Sequence, residues 1–164
     1  RRITLSSTIQ GTRLAVHGDA EWIITAIRNL ITNAISYSEE GSPVAVVCRR
    51  RKDLVEVAVT DQGQGISPAD QERIFERFYR VDAARSRATG GTGLGLSIVK
   101  HICANLGGDV VVWSQLGQGS TFTIRLPAAD SVPGHPGVAS GTASAPPTHP
   151  TDDLGRATER GVSS

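Results

Sequence analysis

Two asparagines, Asn29 and Asn33, lie four positions apart in a stretch whose apolar residues recur with helical periodicity. At this spacing both side chains leave the same face of a helix. An amide oxygen is a hard, neutral ligand for Mg²⁺, which takes one or two protein ligands and completes its shell with waters and phosphate oxygens. Tyr37, one helical step further on, is placed to lay its ring on a base. Taken alone, the pattern is more typical of surface asparagines on an amphipathic helix.

A second cluster, Asp61-Gln-Gly63-Gln-Gly65-Ile66, follows a predicted strand directly. Glycines after a carboxylate allow a flat ligand to approach the backbone closely. The carboxylate of Asp61 can accept a hydrogen bond from the exocyclic amine of adenine, whereas guanine would place its own acceptor there and leave both unpaired, at about 1–3 kcal/mol. Taken alone, this cluster is more typical of a turn that merely needs glycine.

A third cluster, from Gly91 to Ser97, opens a predicted helix with three glycines at alternate positions. Backbone N–H groups at a helix N-terminus bind anions, and glycines remove side chains that would block a phosphate. The spacing matches neither a P-loop nor a dinucleotide-binding motif. A flexible connection into a helix remains the alternative.

The elements that must position these clusters alternate between two periodicities. Residues 3–16 predict one or two strands, and a helix is predicted from an N-cap at Asp19 to Tyr37. The remaining predictions are a hairpin of strands 44–50 and 54–60, a short helix 68–78, a loop 82–95, a helix 96–106 and a strand pair 109–114 and 120–126. Helices and hairpins in separate runs predict an α+β fold, a two-layer sandwich with about three helices on one face of a mostly antiparallel sheet.

Composition limits the classes of protein this chain belongs to. The 17 Lys and Arg residues nearly balance the 16 Asp and Glu residues, which argues against a nucleic-acid binder. No apolar run approaches the ~18 residues of a membrane span, so we expect no membrane contact. Pro, Gly, Ser, Thr and Ala dominate after Pro127, and we therefore predict a folded domain over 1–129 and a disordered tail over 130–164.

The clusters together resemble the N, G1, F and G2 boxes of bacterial sensor histidine kinases. The matching segments are Asn29-Leu-Ile-Thr-Asn33-Ala, Asp61-x-Gly-x-Gly65-Ile, Phe75-Glu-Arg-Phe78-Tyr-Arg80 and Gly91-Thr-Gly-Leu-Gly95-Leu-Ser. A further glycine box of the family matches Gly117 to Phe122. The overall sequence is similar to that of actinobacterial, specifically mycobacterial, phosphate-responsive sensor kinases. The family fold is the Bergerat (GHKL) ATP-binding sandwich.

The resemblance implies an ATP site in which Asn33 binds Mg²⁺ and Asp61 hydrogen-bonds to adenine. By the same resemblance, the ring of Tyr37 stacks on adenine, and the glycine-rich loop binds the phosphates. The implied ATP-binding residues are Asn29, Asn33, Tyr37, Asp61, Gly63, Gly65, Ile66, Tyr79, Arg80, Gly91, Thr92, Gly93, Leu94, Gly95, Leu96 and Thr121. It also implies an ATP lid over about 81–95, in which Arg85 and Arg87 are candidate γ-phosphate contacts.

Two departures from the family pattern bear on activity. Many members carry a Lys three residues after the Mg²⁺-binding Asn, and Ser36 stands there. Nothing in the chain resembles the phosphoacceptor helix, so we expect no autophosphorylation by this chain alone. Hydrolysing relatives use a Glu four residues before the Mg²⁺-binding Asn, and that position is Asn29, which cannot take a proton.

The implied reaction transfers the γ-phosphoryl of ATP to a His on a separate dimerisation domain of the same kinase, for relay to a response-regulator Asp. This chain supplies binding and positioning and no catalytic residue. We expect a cytoplasmic, monomeric domain of a membrane-anchored parent. The alternatives are a nucleotide-binding regulatory module without phosphotransfer and a protein-interaction domain that binds no nucleotide.

Overall fold

The computed structural model describes residues 2–81 and 92–131. Its elements are, in chain order, β1 (Thr4–Gln10), α1 (Ala20–Tyr37), β2 (Pro43–Arg51), β3 (Leu54–Asp61), α2 (Pro68–Gln71), α3 (Gly95–Asn105), β4 (Asp109–Gln115) and β5 (Gly119–Pro127). The strands form one sheet in the order β1-β2-β3-β5-β4. β1 pairs parallel with β2, and every other pair is antiparallel. The predicted α+β sandwich is therefore confirmed.

The long helix α1 begins and ends where the sequence predicts. The side chain of Asp19 accepts a hydrogen bond from the backbone N–H of Glu21 at 2.8 Å, which satisfies one of the free donors of the first turn. Ala26, Leu30 and Ala34, at helical spacing, are buried against the sheet. The exposed side of the helix carries polar residues such as Arg28 and Thr32 together with Trp22 and Ile24.

The core lies between the two long helices and one face of the sheet. Val59 of β3 lies opposite Phe122 of β5, which lies opposite Val112 of β4. Leu30 of α1 and Val99 of α3 are fully buried in the same cluster. Full burial of such side chains contributes roughly 1.5–3 kcal/mol each.

The outer face of the sheet carries charges that alternate from strand to strand. Arg49 lies opposite Glu56, Glu56 opposite Arg125, and Arg125 opposite Asp109. Arg49 donates to Glu56 at 2.9 Å, and Arg125 donates to both carboxylate oxygens of Asp109 at 2.9 and 2.6 Å. This charged row places opposite charges directly across each strand pair, an arrangement that stabilises sheet pairing.

Residues just beyond β5 also pack on the domain. The Arg50 guanidinium forms an ion pair with Asp130 and donates to the Ser131 hydroxyl at 2.9 Å. Ser131 in turn lies 3.1 Å from a carboxylate oxygen of Asp53 in the β2–β3 turn. The expected tail beyond residue 131 lies outside the described residues.

The prediction of a helix over 68–78 is wrong in its length. Only Pro68–Gln71 is helical, and turns follow. The chain must bury Ile74 and then bring the N–H of Phe78 within 2.9 Å of the Gly93 carbonyl oxygen. Phe78 reaches that position with a φ of 65°, a left-handed conformation that cannot continue a right-handed helix.

The expectation of one or two strands over 3–16 resolves into β1 and a single bridge between Val16 and Ala128. The other predicted strands agree with the structure to within a residue or two. None of the helices in the described part of the chain has the length and hydropathy needed to cross a membrane.

Candidate functional site

A cleft of about 300 Å³ opens between α1, the loop after β3, the turns that follow α2, and the start of α3. It is lined by Asn29, Thr32, Asn33, Ser36, Tyr37, Asp61, Gln64, Gly65, Ile66, Ile74, Tyr79, Arg80, Val81, Thr92, Gly93, Gly95, Leu96, Ser120 and Phe122. Five segments of the chain, these four and β5, therefore meet at one cavity, as expected of a ligand site.

Asp61 lies at the end of β3, where the residue is 5% exposed. One carboxylate oxygen accepts the backbone N–H of Gly63 at 2.8 Å, and the backbone of Ser120 supplies a further hydrogen bond. Burial raises the pKa of Asp61 above its usual range, and these two hydrogen bonds oppose that rise. The result is a buried hydrogen-bond acceptor in the wall of the cleft.

The loop after Asp61 can take its path only because of Gly65. Its φ is 73°, and a Cβ there would lie 2.1 Å from the backbone oxygen of Gln115. A side chain at this position would push the loop away from the β4–β5 turn. Without one, Gly65 and Ile66 line the cleft beside Asp61.

Asn29 and Asn33 both face the cleft from α1, as their spacing predicts. Asn29 donates through Nδ2 to the backbone oxygen of Thr25 at 2.8 Å, and its amide oxygen lies 3.0 Å from where a Cβ on Gly95 would be. The side chain of Asn29 therefore supports the start of α3. The hydroxyl of Ser36 donates to the backbone oxygen of Thr32 at 2.8 Å.

The donor set fits Mg²⁺ better than a metal that needs a protein cage. In the described residues there is no group of three His, Cys, Asp or Glu side chains that could hold a metal. The amide oxygen of Asn33 is a type of ligand that suits Mg²⁺. Mg²⁺ characteristically takes few protein ligands and completes its coordination with phosphate oxygens and water. A cation at Asn33 would therefore depend on a phosphate ligand.

Tyr79 and Arg80 close another side of the cleft. The Tyr79 hydroxyl donates to Asp70 at 2.6 Å, and the Arg73 guanidinium lies 4.2 Å from the centre of the Tyr79 ring. The Ser67 hydroxyl and Tyr79 hold the pKa of Asp70 below its usual range, so this carboxylate is ionised and fixes the ring.

Arg80 differs from Tyr79 in that, within the described residues, two nitrogens of its half-buried side chain have no hydrogen-bond partner. Its Nε and Nη2 atoms are buried, and neither has a hydrogen-bond partner in the described part of the chain. A buried charge without compensation costs several kcal/mol. An anionic ligand in the cleft would supply the missing partner.

The start of α3 adds a second feature that favours anions. The N-cap position is Leu94, which makes no side-chain hydrogen bond to the first turn. The N–H groups of that turn therefore receive no hydrogen bond from the N-cap side chain, and the helix dipole places partial positive charge there. Gly93 and Gly95 line the cleft at this point.

The family model described as histidine kinase-, DNA gyrase B- and HSP90-like ATPase matches residues 18–130. The chain belongs to this ATPase family. The match covers the residues that form the cleft, from α1 to β5.

Similar curated proteins place the domain among sensor histidine kinases. It is 60% identical over 115 residues to the sensor-like histidine kinase SenX3 of Mycobacterium tuberculosis, a match covering 70% of this chain and 28% of that protein. It is 44% identical over 125 residues to the sensor histidine kinase RppB of Synechocystis, covering 76% and 28%. The chain thus spans little more than a quarter of the length of these relatives.

Solved structures confirm the Bergerat-type sandwich. The mycobacterial sensor histidine kinase MprB matches with a TM-score of 0.66 and 32% identity, over 76% of this chain and 81% of that one. The catalytic domain of the histidine kinase ThkA matches with a TM-score of 0.66 and 27% identity, over 77% and 79%. The predicted resemblance to histidine kinase catalytic domains, including mycobacterial ones, is confirmed.

Most of the predicted site residues come together in this histidine kinase ATPase domain. Those that line the cleft are Asn29, Asn33, Tyr37, Asp61, Gly65, Ile66, Tyr79, Arg80, Thr92, Gly93, Gly95 and Leu96. Three others take positions next to it. Gly63 lies behind Asp61, Leu94 caps α3, and Thr121 faces the outer side of the sheet, where its hydroxyl lies 3.0 Å from that of Thr60. Gly91 and the expected lid arginines Arg85 and Arg87 lie outside the described residues, as does most of the expected lid.

Several residues line the cleft without being predicted from the sequence motifs, and Ser120 and Phe122 are the most informative of them. They flank Thr121 on β5, and alternate residues of a strand face opposite sides of the sheet. Pairing Asp61 with Ser120 across the sheet would have identified this parity. The remaining missed residues are Thr32, Gln64, Ile74 and Val81.

Proposed function

We propose that this domain binds Mg-ATP in the cleft and transfers the γ-phosphoryl group to a His on a dimerisation domain of the same kinase. The observation that carries the proposal is the polarity of the cleft. A buried carboxylate, Asp61, lies in one wall, and the half-buried side chain of Arg80 lies in another, with two buried nitrogens that have no hydrogen-bond partner in the described residues. An adenine amine suits the first group and a polyphosphate suits the second.

In this arrangement the Asp61 carboxylate accepts a hydrogen bond from the exocyclic amine of adenine. Gly63 N–H supports the carboxylate from behind at 2.8 Å, and Gly65 and Ile66 form the adjacent wall. Tyr37 lines the same cleft and stacks on the base. Guanine would present an acceptor to Asp61, so the site selects adenine.

The phosphates lie toward α3 and Arg80. The N–H groups of the first turn of α3 and the glycines 91, 93 and 95 cradle the phosphate oxygens. The Arg80 guanidinium pairs with a terminal phosphate, which gives its buried nitrogens the acceptors they lack. Asn33, together with phosphate oxygens, would hold Mg²⁺, which would supply charge neutralisation during phosphoryl transfer.

The chain orients ATP and leaves acceptance of the phosphoryl to another domain. Phosphoryl transfer depends mainly on positioning and electrostatics, which a site of amides, glycines and arginine can supply. The cognate response regulator then receives the phosphoryl group on an Asp. We propose that the domain extends through Ser131, since Asp130 and Ser131 contact Arg50, with a tail beyond it, and that it is the cytoplasmic part of a membrane-anchored kinase.

The second candidate is a nucleotide-binding module without phosphotransfer. Ser36 favours it, because it lines the cleft in the position where many family members carry a Lys, and its hydroxyl donates to the Thr32 backbone. The lid arginines Arg85 and Arg87 are the proposed substitutes for that Lys in the first candidate.

Calorimetric titration of Mg-ATP tests the binding site. The wild type should bind, Asp61→Ala should abolish measurable binding, and Asp53→Ala, in the β2–β3 turn, should bind like the wild type. Absence of binding to a folded wild type would refute the proposal.

Phosphotransfer in trans separates the two candidates. The domain is mixed with a separately prepared phosphoacceptor domain of its own kinase and γ-labelled Mg-ATP. Label on the acceptor His supports the kinase, and ATP binding without label supports the regulatory module.

A further inference from the structure

A single hydroxyl joins two walls of the cleft without lining it. Ser114, on β4, accepts the backbone N–H of Ile66 at 2.8 Å. The same oxygen donates to the backbone oxygen of Gly119 at 2.9 Å and lies 2.9 Å from the hydroxyl of Ser120. These groups belong to the loop after β3 and to the start of β5.

The three contacts use the full capacity of the hydroxyl. A serine hydroxyl has one donor and two acceptor positions. Ser114 fills them by accepting from Ile66 N–H, accepting from the Ser120 hydroxyl and donating to the Gly119 carbonyl. Alanine at this position would leave partly buried partners unsatisfied, which costs more than the loss of the bonds themselves.

The groups held by Ser114 are those that define the surroundings of Asp61. Ser120 is buried, lies opposite Asp61 in the sheet and hydrogen-bonds it through the backbone. Ile66 lines the cleft at the other end of the glycine loop. Gln71 of α2 adds to this by donating to the backbone oxygens of Ile66 and Ser114 at 2.8 and 3.0 Å.

We infer that Ser114 is a positioning residue for adenine recognition, fixing Asp61 and Ile66 at the separation that the base requires. This inference rests on the proposed ATP-binding function. The phosphate end is built from α1, Arg80 and the start of α3, and none of the hydrogen bonds of Ser114 reaches those groups. Ser114 therefore governs selectivity for the base and not affinity for the phosphates.

The test measures the affinities of Mg-ATP and Mg-GTP for the same set of variants, together with their thermal unfolding. GTP carries the same phosphates, but its base gains no hydrogen bond from Asp61, so its affinity depends mainly on the phosphate end and on stacking. Ser114→Ala should weaken Mg-ATP about tenfold, weaken Mg-GTP by less than about twofold and so reduce the preference for adenine. Ser42→Ala, which removes an exposed hydroxyl bonded to Glu39 at 2.7 Å, is the matched control and should change neither affinity.

Ser114→Thr retains the hydroxyl on a residue that suits a strand, and it should restore Mg-ATP affinity to within about threefold of the wild type. An equal loss for both nucleotides in Ser114→Ala, or no loss for either, overturns the inference. So does a failure of Ser114→Thr to restore ATP binding in a folded protein. Failure of the wild type itself to bind Mg-ATP refutes the proposed function instead, so the two failures are distinguishable.

Discussion

The backbone N–H of Gly63 donates to the Asp61 carboxylate at 2.8 Å, and the α-carbon that follows this N–H packs against the end of α1. A Cβ on Gly63 would lie 2.5 Å from the backbone oxygen of Tyr37 and 2.9 Å from the carboxylate itself. Gly63 thus sets the distance between the helix that carries Tyr37 and the strand that carries Asp61. The two proposed adenine contacts are held together by the absence of one side chain.

Gly63→Ala is therefore expected to destabilise the domain by about 1–3 kcal/mol, because the new methyl group meets rigid backbone. It should also weaken Mg-ATP, since relief of the clash displaces Tyr37 from Asp61. Gly18→Ala is the control, because its Cβ would meet only the ends of side chains, Leu106 at 2.5 Å and Ile23 at 3.6 Å, and side-chain ends can move. Denaturant unfolding and calorimetry measure both effects, and equal behaviour of the two variants would contradict the prediction.

The raised pKa of Asp61 predicts opposite pH dependences for folding and for binding. Its folded-state pKa lies above the unfolded value because burial disfavours the charged form, so its contribution to stability is fully present below the unfolded pKa. That contribution is lost as pH rises through the folded pKa. Adenine binding needs the carboxylate, so affinity for Mg-ATP should fall as pH drops through the same folded pKa.

Asp61→Asn isolates this group, because an amide does not titrate. The difference in unfolding free energy between wild type and Asp61→Asn should change across that pH range, and so should the difference in affinity, with the opposite sign. Parallel pH profiles for the two proteins would show that Asp61 is not the titrating group.

Arg80→Ala should weaken Mg-ATP about 10- to 100-fold, since a charged hydrogen bond contributes roughly 1.5–3 kcal/mol. The unliganded domain should lose little or no stability, because the buried Nε and Nη2 atoms have no partner in the described part of the chain. Arg77→Ala, which removes an exposed guanidinium 5.7 Å from the Phe78 ring, serves as control. A loss of stability without a loss of affinity would assign Arg80 to packing instead.

Tyr79→Phe removes the 2.6 Å hydrogen bond to Asp70. The pKa of Asp70 should then move back toward its usual value, because the Tyr79 hydroxyl is one of the two bonds that lower it. A lowered folded pKa contributes stability above the unfolded value that is lost as pH falls through the folded value, so acid unfolding should begin at higher pH in the variant. Carbon-detected titration of Asp70 by NMR measures the shift, and an unchanged pKa would contradict the role given to Tyr79.

Local sequence patterns predict those parts of the site that depend on a single helix or strand. Asn29 and Asn33 share a helix face because of their spacing, and Asp61 and Gly65 follow a strand whose alternation is clear. Parts that depend on register were not predictable in this way. The family resemblance places Thr121 near the adenine, but its side chain lies on the outer face of the sheet. The neighbouring Ser120 lines the cleft instead.

The segment after Pro68 shows the same limit in another form. Its residues favour a helix, yet the hydrogen bond between Phe78 and Gly93 forces the backbone to turn. That bond joins positions far apart in the sequence, and tertiary contacts of this kind override local propensity. The role of Ser114 is not predictable from its own strand for a related reason, since the partners of its hydroxyl come from one other strand, β5, and from the loop after β3.

The charged row across the sheet also favours the correct register of its strands. Moving β3 or β5 by one residue against a neighbour would turn Glu56 or Arg125 into the apolar layer and expose a valine or isoleucine in exchange. Each strand of the row therefore carries a charged side chain that disfavours a shifted register, because the shift would bury that charge without a partner. The face of the domain farthest from the cleft thereby enforces the alignment that brings Asp61 opposite Ser120.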